Sequence, residues 1–153
     1  DLPPLRITSD EVDTLRASLP ELPDARRARF EAEYGLAPAD AHQLTETRIE
    51  ADAFEQTVGL AVSGVTEEAA RTARARAVAH WIIGDLARLR RSEAGGEREW
   101  SEIAVTPAHI AELVRIVEDG TITGTTAKEV LDVAFESGGT ATLPRANVEI
   151  LEG

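Results

Sequence analysis

The chain has 153 residues, 42% of them hydrophobic, which suffices for one ordinary domain with a real core and excludes a disordered tail. Only 4% are aromatic and neither Cys nor Met occurs, so the core falls to Leu, Val, Ile and Ala, which suit packed helices, and neither a disulfide nor a thiolate metal site can form. The formal net charge of −12 repels phosphate at long range, which excludes a self-sufficient nucleic-acid binder with a basic excess and leaves room only for local contact with RNA.

No apolar run approaches the roughly 20 residues that cross a bilayer, and the start, Asp1-Leu2-Pro3-Pro4-Leu5, has neither the basic nor the apolar region of a signal peptide. A soluble, cytoplasmic protein is expected, and a start of this kind reads as the interior of a longer polypeptide. Thr8-Ser9-Asp10-Glu11 offers a capping box ahead of Val12, Leu15 and Leu19, predicting a first helix over 9–19. Pro20-Glu21-Leu22-Pro23 ends it and starts a second over 23–34, stopped by Gly35. Pro38 opens a long third helix with Leu44, Ala51, Phe54, Val58 and Val62 on one face, ending near Gly64. The fourth starts at Thr66, carries Glu67 and Glu68 in its first turn and Arg88, Arg90 and Arg91 in its last, and has an apolar stripe of Ala77, Val78, Trp81, Ile82, Leu86 and Leu89.

These two long helices, joined around Ser63-Gly64-Val65, predict an antiparallel hairpin as the core. Residues 92–101, with Gly95 and Gly96 among polar neighbours, read as an exposed connection dividing the chain into 1–95 and 96–153. Thr106-Pro107 opens a fifth helix with Ile110, Leu113, Val114 and Val117 inward, stopped by Gly120. Ile122 lies in the next connection, and a sixth helix from Thr125 to Gly138-Gly139 buries Val130, Leu131, Ala134 and Phe135. Residues 140–153, with Pro144, are expected to form no stable structure of their own. The predicted fold is all-α: a helical bundle on a long antiparallel hairpin, with a smaller helical segment at the C-terminal end.

No catalytic set emerges. Cys is absent and the three histidines fall in separate helices without a nucleophile elbow. Gly95-Gly96 lacks the strand, helix and Lys of a phosphate cradle. His42, Glu46 and Glu50 share a helical face at metal-ligand spacing, but the reading favoured is chance on a solvated surface. His80 beside Trp81 is expected to be packed or capped. The arginine groups Arg26/Arg27/Arg29, Arg71/Arg74/Arg76 and Arg88/Arg90/Arg91 could meet phosphates, although solvated partners of nearby carboxylates are the favoured reading. Lys128 stands near a helix start, where backbone N–H groups favour an anion.

Several stretches in order resemble GatB, the B subunit of the tRNA-dependent amidotransferase. They are Asp1-Leu2-Pro3-Pro4-Leu5, Leu19-Pro20-Glu21-Leu22-Pro23, Tyr34-Gly35-Leu36, Leu44-Thr45 leading to Ala53-Phe54-Glu55, His80-Trp81-Ile82-Ile83-Gly84-Asp85-Leu86, and Glu118-Asp119-Gly120-Thr121-Ile122-Thr123-Gly124 with Ala127-Lys128-Glu129-Val130. The series covers about nine tenths of the chain, and the family differs by having Lys where Thr125 stands and Asn where His80 stands. The resemblance implies a heterotrimer, completed by A and C subunits, that amidates misacylated Glu-tRNA(Gln) or Asp-tRNA(Asn) with ATP, Mg and ammonia from glutamine. It places the ATP and Mg site in a cradle domain ahead of Asp1, and so no catalytic residue or cofactor in this chain. The chain then corresponds to the helical domain and the start of a YqeY-like tail that grips tRNA, without clear family pattern after Gly139. Arg71, Arg74, Arg76 and Lys128 are the first candidates for RNA contact. The competing reading is a free-standing YqeY-like module with its own RNA or protein partner.

Overall fold

The computed structural model describes residues 3–4, 6–91 and 96–137; expectations on residues 1, 2, 5, 92–95 and 138–153 lie outside the described residues. The described residues form an all-α fold. Its helices are α1 (Ser9–Ser18), α2 (Pro23–Tyr34), α3 (Pro38–Leu44), α4 (Arg48–Ala61), α5 (Glu68–His80), α6 (Pro107–Glu118) and α7 (Gly124–Glu136). The axis of α5 runs on through a π-helical stretch, Trp81–Leu86, and a last α-turn, Ala87–Arg90, and a 3₁₀ turn, Trp100–Glu102, precedes α6. Among the described residues the extended backbone pairs once, as an isolated antiparallel bridge between Arg91 and Glu97. None of the described helices is long and apolar enough to cross a membrane.

The local signals act where the sequence places them. Thr8 and Glu11 close a reciprocal capping box on α1, Pro23 and Pro38 open α2 and α3, and Gly35 ends α2 in the left-handed region at φ 61°. Thr106 caps α6 through the His109 N–H while the His109 ring nitrogen accepts from the Thr106 N–H at 3.1 Å, so a histidine takes the place usually held by Glu or Gln.

The expected long third helix is two helices. The Thr45 hydroxyl donates back to the Ala41 carbonyl at 2.7 Å, and the Thr47 side chain accepts the Glu50 N–H at 3.1 Å, ending one helix and capping the next. Two threonines within three residues offer the backbone local partners that compete with the helical ladder, which periodicity alone does not reveal.

Within the expected fourth helix, Ile82, Ile83 and Gly84 are all weak helix formers, and here the ladder widens to π register. The wider turn carries Trp81, Ile82, Asp85 and Leu86 together into the interior.

The hairpin of α4 and α5 is present, but α6 packs along α4 even more extensively than α5 does. Val58 and Ala61 of α4 and Ile110, Leu113 and Val114 of α6 belong to one buried cluster that also takes in Phe30, Leu44, Trp81, Leu86 and Leu131. The core therefore runs across the connection near Gly95 rather than ending there. Phe30, Phe54 and Tyr34 form an aromatic triangle with centroid separations of 5.0–5.4 Å, which fastens α2 to α4. The first helix departs from expectation: Leu15 and Leu19, its presumed inward residues, are exposed, and α1 buries no side chain.

Candidate functional site

The three arginines of α5 point to three different parts of the bundle. Arg74 is largely covered; its Nη1 donates to the Ala61 carbonyl at 2.9 Å, where α4 ends, and its Nε is bonded to the Glu118 carboxylate at the end of α6. The Nε of Arg76 donates to the carbonyl of Gly35 at 2.8 Å, where α2 ends. Arg71 reaches the Val65 carbonyl at 3.2 Å in the α4–α5 turn. Helix ends expose carbonyls without intrahelical partners, and cations are favoured beside them. Arg74 and Arg76 thus latch α5 to the ends of its neighbours, and Arg71 ties its own turn.

Lys128 is half exposed, with Nζ 3.4 Å from the Asp85 carboxylate of the π-helical stretch. In the last α-turn of the same axis, Arg88 donates to Asp132 at 2.8 Å, so two ion pairs bind α7 to the continuation of α5. Of the four candidates, Arg71 and Lys128 lie at the surface and Arg76 is exposed beyond its latch, whereas Arg74 is an internal strut.

A second constellation is not visible in the sequence. A groove of about 430 Å³ opens between the α3–α4 break, the end of α5 and the stretch around Trp100. At its floor the Arg90 side chain is only 5% exposed. Its guanidinium meets the Glu50 carboxylate, donates from Nε to the Arg98 carbonyl at 2.7 Å, and lies 5.6 Å from the Trp100 ring centroid. The Trp100 indole N–H donates to the other oxygen of Glu50. Glu50, expected on a solvated face, is thereby the node that ties α4 to the end of α5. Sequence offers one signal, an Arg and a Trp flanking the connection, but no spacing joins them to Glu50.

His42 and Glu46 are exposed at the rim of the same groove, and among the described residues no group of three His, Asp or Glu side chains is placed to hold a metal ion. Glu46, Glu97 and Glu99 line it together with Arg91, so carboxylates outnumber cations at its rim. His80 is exposed at the end of α5, not packed or capped as expected; the residues on either side, Ala79 and Trp81, are the ones that turn inward.

The first arginine group is also spent internally. Arg29 bonds Glu21 at 2.7 Å and Glu55 at 2.7 Å, and Arg26 bonds Asp52 at 2.6 Å together with Glu55. The hydrogen bond from Arg29 holds the Glu21 carboxyl below its ordinary range. Burial pushes the Glu55 carboxyl up, but hydrogen bonds from Arg29 and Arg26 outweigh it and the net shift is down. Burial and the charges of Glu33 and Glu55 raise the Tyr34 phenol. The arrangement clamps α2 to α4 over the aromatic triangle.

Similarity to known proteins points one way. The sequence profile of the GatB_Yqey family, described as a GatB domain, matches residues 64–150, more than half of the chain. That match reaches past Gly139, beyond the last stretch in which the sequence by itself shows a clear family pattern. The chain is 42% identical over 138 residues to the B subunit of the aspartyl/glutamyl-tRNA(Asn/Gln) amidotransferase of Thermomicrobium roseum, covering 90% of this chain and 26% of the relative. The corresponding protein of Carboxydothermus hydrogenoformans is 41% identical over 138 residues, again 90% of this chain and 26% of the relative. That of Thermosynechococcus vestitus is 39% identical over 150 residues, 97% of this chain and 26% of the relative. The chain thus spans about a quarter of the length of these relatives.

Proposed function

The chain belongs to the GatB domain family, and from that premise we propose that it is a non-catalytic helical portion of the B subunit of a tRNA-dependent amidotransferase. In this role it links a catalytic cradle to a tRNA-binding tail and helps to position misacylated Glu-tRNA(Gln) or Asp-tRNA(Asn) for ATP-dependent amidation. The observation that carries this reading is the 42% identity across 90% of the chain to a protein named as that subunit. The A and C subunits are then partners through the full-length polypeptide, and ATP and magnesium belong to the part of it outside these residues.

The contribution of such a portion is geometric: holding two reacting groups in register removes entropy from the barrier before the chemical step. That requires stiffness, and the latches of Arg74 and Arg76, the Arg90–Glu50–Trp100 node and the clamp of Arg26 and Arg29 each join helices distant in sequence. Any phosphate contact falls to the surface-lying members, Arg71, Arg76 and Lys128, since Arg74 is occupied at a helix junction.

The test is binding of the full-length protein, in its complex with the A and C subunits, to tRNA(Gln) and to an unrelated tRNA across a salt series. With Arg71→Gln and Lys128→Gln together, the cognate affinity should fall severalfold and the slope of log affinity against log salt should shrink by roughly one to two. Unchanged affinity and slope would remove RNA contact from these residues. Equal affinity of the isolated 153-residue chain and the whole complex would favour the free-standing YqeY-like module instead.

A further inference from the structure

We propose that the ion pair between Asp85 and Lys128 restrains RNA contact: a phosphate that takes Lys128 strips a nearly buried carboxylate of its partner, and Asp85 thereby holds the affinity of this surface down. The proposal deepens the function proposed above and rests on it, since Lys128 is there a candidate phosphate contact.

The two sides of the pair are unequal. The Lys128 side chain is 52% exposed, whereas that of Asp85 is only 11% exposed. Asp85 lies in the π-helical stretch, which carries it inward together with Trp81, Ile82 and Leu86. Among the described residues its carboxylate has no other ion pair, and Arg88, in the next turn of the same axis, is engaged by Asp132. A charge taken out of water and then left without its counterion is strongly disfavoured, while an ammonium that stays hydrated loses little. The cost of breaking the pair therefore falls on Asp85.

The cation is of the kind that lets go. Lys128 is the only lysine of the chain, and the other permanently charged basic side chains are arginines. Arg26, Arg29, Arg74 and Arg90 each bond two partners through a planar guanidinium. Lys128 has one, at 3.4 Å, longer than the roughly 2.7–2.9 Å of a strong charge-assisted bond. An ammonium on a flexible four-carbon stem turns from one anion to another more readily than an anchored fork does.

Salt separates this arrangement from an ordinary contact. A free lysine that meets a phosphate contributes about 0.7–0.9 to the slope of log affinity against log salt. A lysine that must first leave Asp85 uncovers a carboxylate that recovers a cation from solution, and the net release is smaller. Both pairs weaken together as salt rises, so the restraint is strongest at low salt. Lys128 is thus exchanged between anions rather than added to a bare surface, which limits how tightly the RNA is held before and after reaction.

The experiment is a double-mutant cycle in the full-length protein, in its complex with the A and C subunits, with tRNA(Gln) as the probe across a salt series. Asp85→Asn keeps the shape of the side chain and should tighten binding roughly three- to tenfold at low salt, a gain that disappears when Lys128→Gln is also present. Glu129→Gln removes an exposed carboxylate beside Lys128 without touching the pair, and screened charge alone should tighten binding by less than about twofold. Should Asp85→Asn lose its helical circular dichroism, Lys128→Gln alone decides: its slope should fall by clearly less than the roughly 0.7–0.9 of a full contact, but by more than zero. A full loss of slope, or an Asp85→Asn gain that survives Lys128→Gln or merely equals that of Glu129→Gln, overturns the restraint and leaves the proposed function standing. No effect of Lys128→Gln in either background removes Lys128 from the RNA contact itself, and this proposal with it.

Discussion

At Gly35 the backbone enters the left-handed region at φ 61°, and a Cβ built there would lie 2.9 Å from Nη2 of Arg76. Gly35→Ala therefore strains the cap and displaces the latch at once. Left-handed strain alone costs about 1–3 kcal/mol, and the loss should appear as a lowered urea midpoint with unchanged slope. Glu50→Ala removes the partner of an almost fully buried guanidinium and of an indole N–H. Breaking a buried pair from one side costs about 3 kcal/mol or more, and Trp100 fluorescence offers a local reporter. Glu55 responds to pH instead. Its folded carboxyl titrates below the ordinary 4.5, so its contribution is complete above that value and fades as pH falls through the lower folded value. Stability measured from pH 7 to pH 3 should drop on the acid side of about 4.5, and Glu55→Gln should flatten that drop; a parallel acid limb in the variant would show that the clamp is not its source. Neither role, of Glu50 or of Glu55, is legible in the sequence, because their partners lie 21 to 50 residues away.

Among the elements, boundaries set by proline, glycine and capping threonines are legible because the signal and its effect lie within a turn of each other. Thr8, Pro23, Gly35, Pro38 and Thr106 all act where expected. Two departures share a cause. The break at Thr45–Thr47 and the π register at Trp81–Leu86 leave the apolar spacing nearly intact, so periodicity continues through them. The competing side-chain bonds of Thr45 and Thr47 decide the first. Thr47→Ala should therefore destabilise by about 1 kcal/mol through loss of the α4 cap, read as a shift in thermal midpoint. Thr45→Ala tests the other half: with the back-bond to Ala41 gone, helical signal should rise, and an unchanged signal would show that the break depends on more than that hydroxyl. For the candidate site, the sequence marks Arg71, Arg74 and Arg76 by their clustering and Lys128 by its place near a helix start, but it cannot show that Arg74 faces two helix ends.

Across the whole molecule, the question is whether residues before and after the connection near Gly95 are separate units. The sequence suggests a division, since glycines and polar residues interrupt the periodicity there. The packing runs the other way: Ile110, Ala111, Leu113 and Val114 of α6 are buried in the cluster that holds Phe54, Val58 and Ala61 of α4. Arg74 ties the ends of both helices, and Trp100 completes the Glu50 node from beyond the connection. Burying a single Leu or Ile side chain contributes about 1.5–3 kcal/mol, and a domain's net stability is only about 5–15 kcal/mol. Removing α6 strips several such residues from α4 and bares an apolar strip along it. A chain cut after Arg91 should accordingly lose cooperative unfolding and bind a hydrophobic dye, whereas the 153-residue chain should unfold in one transition with coincident fluorescence and circular dichroism midpoints. A cut chain that melts cooperatively near the temperature of the whole would show that the first ninety residues stand alone, and that α6 is a guest on a finished bundle.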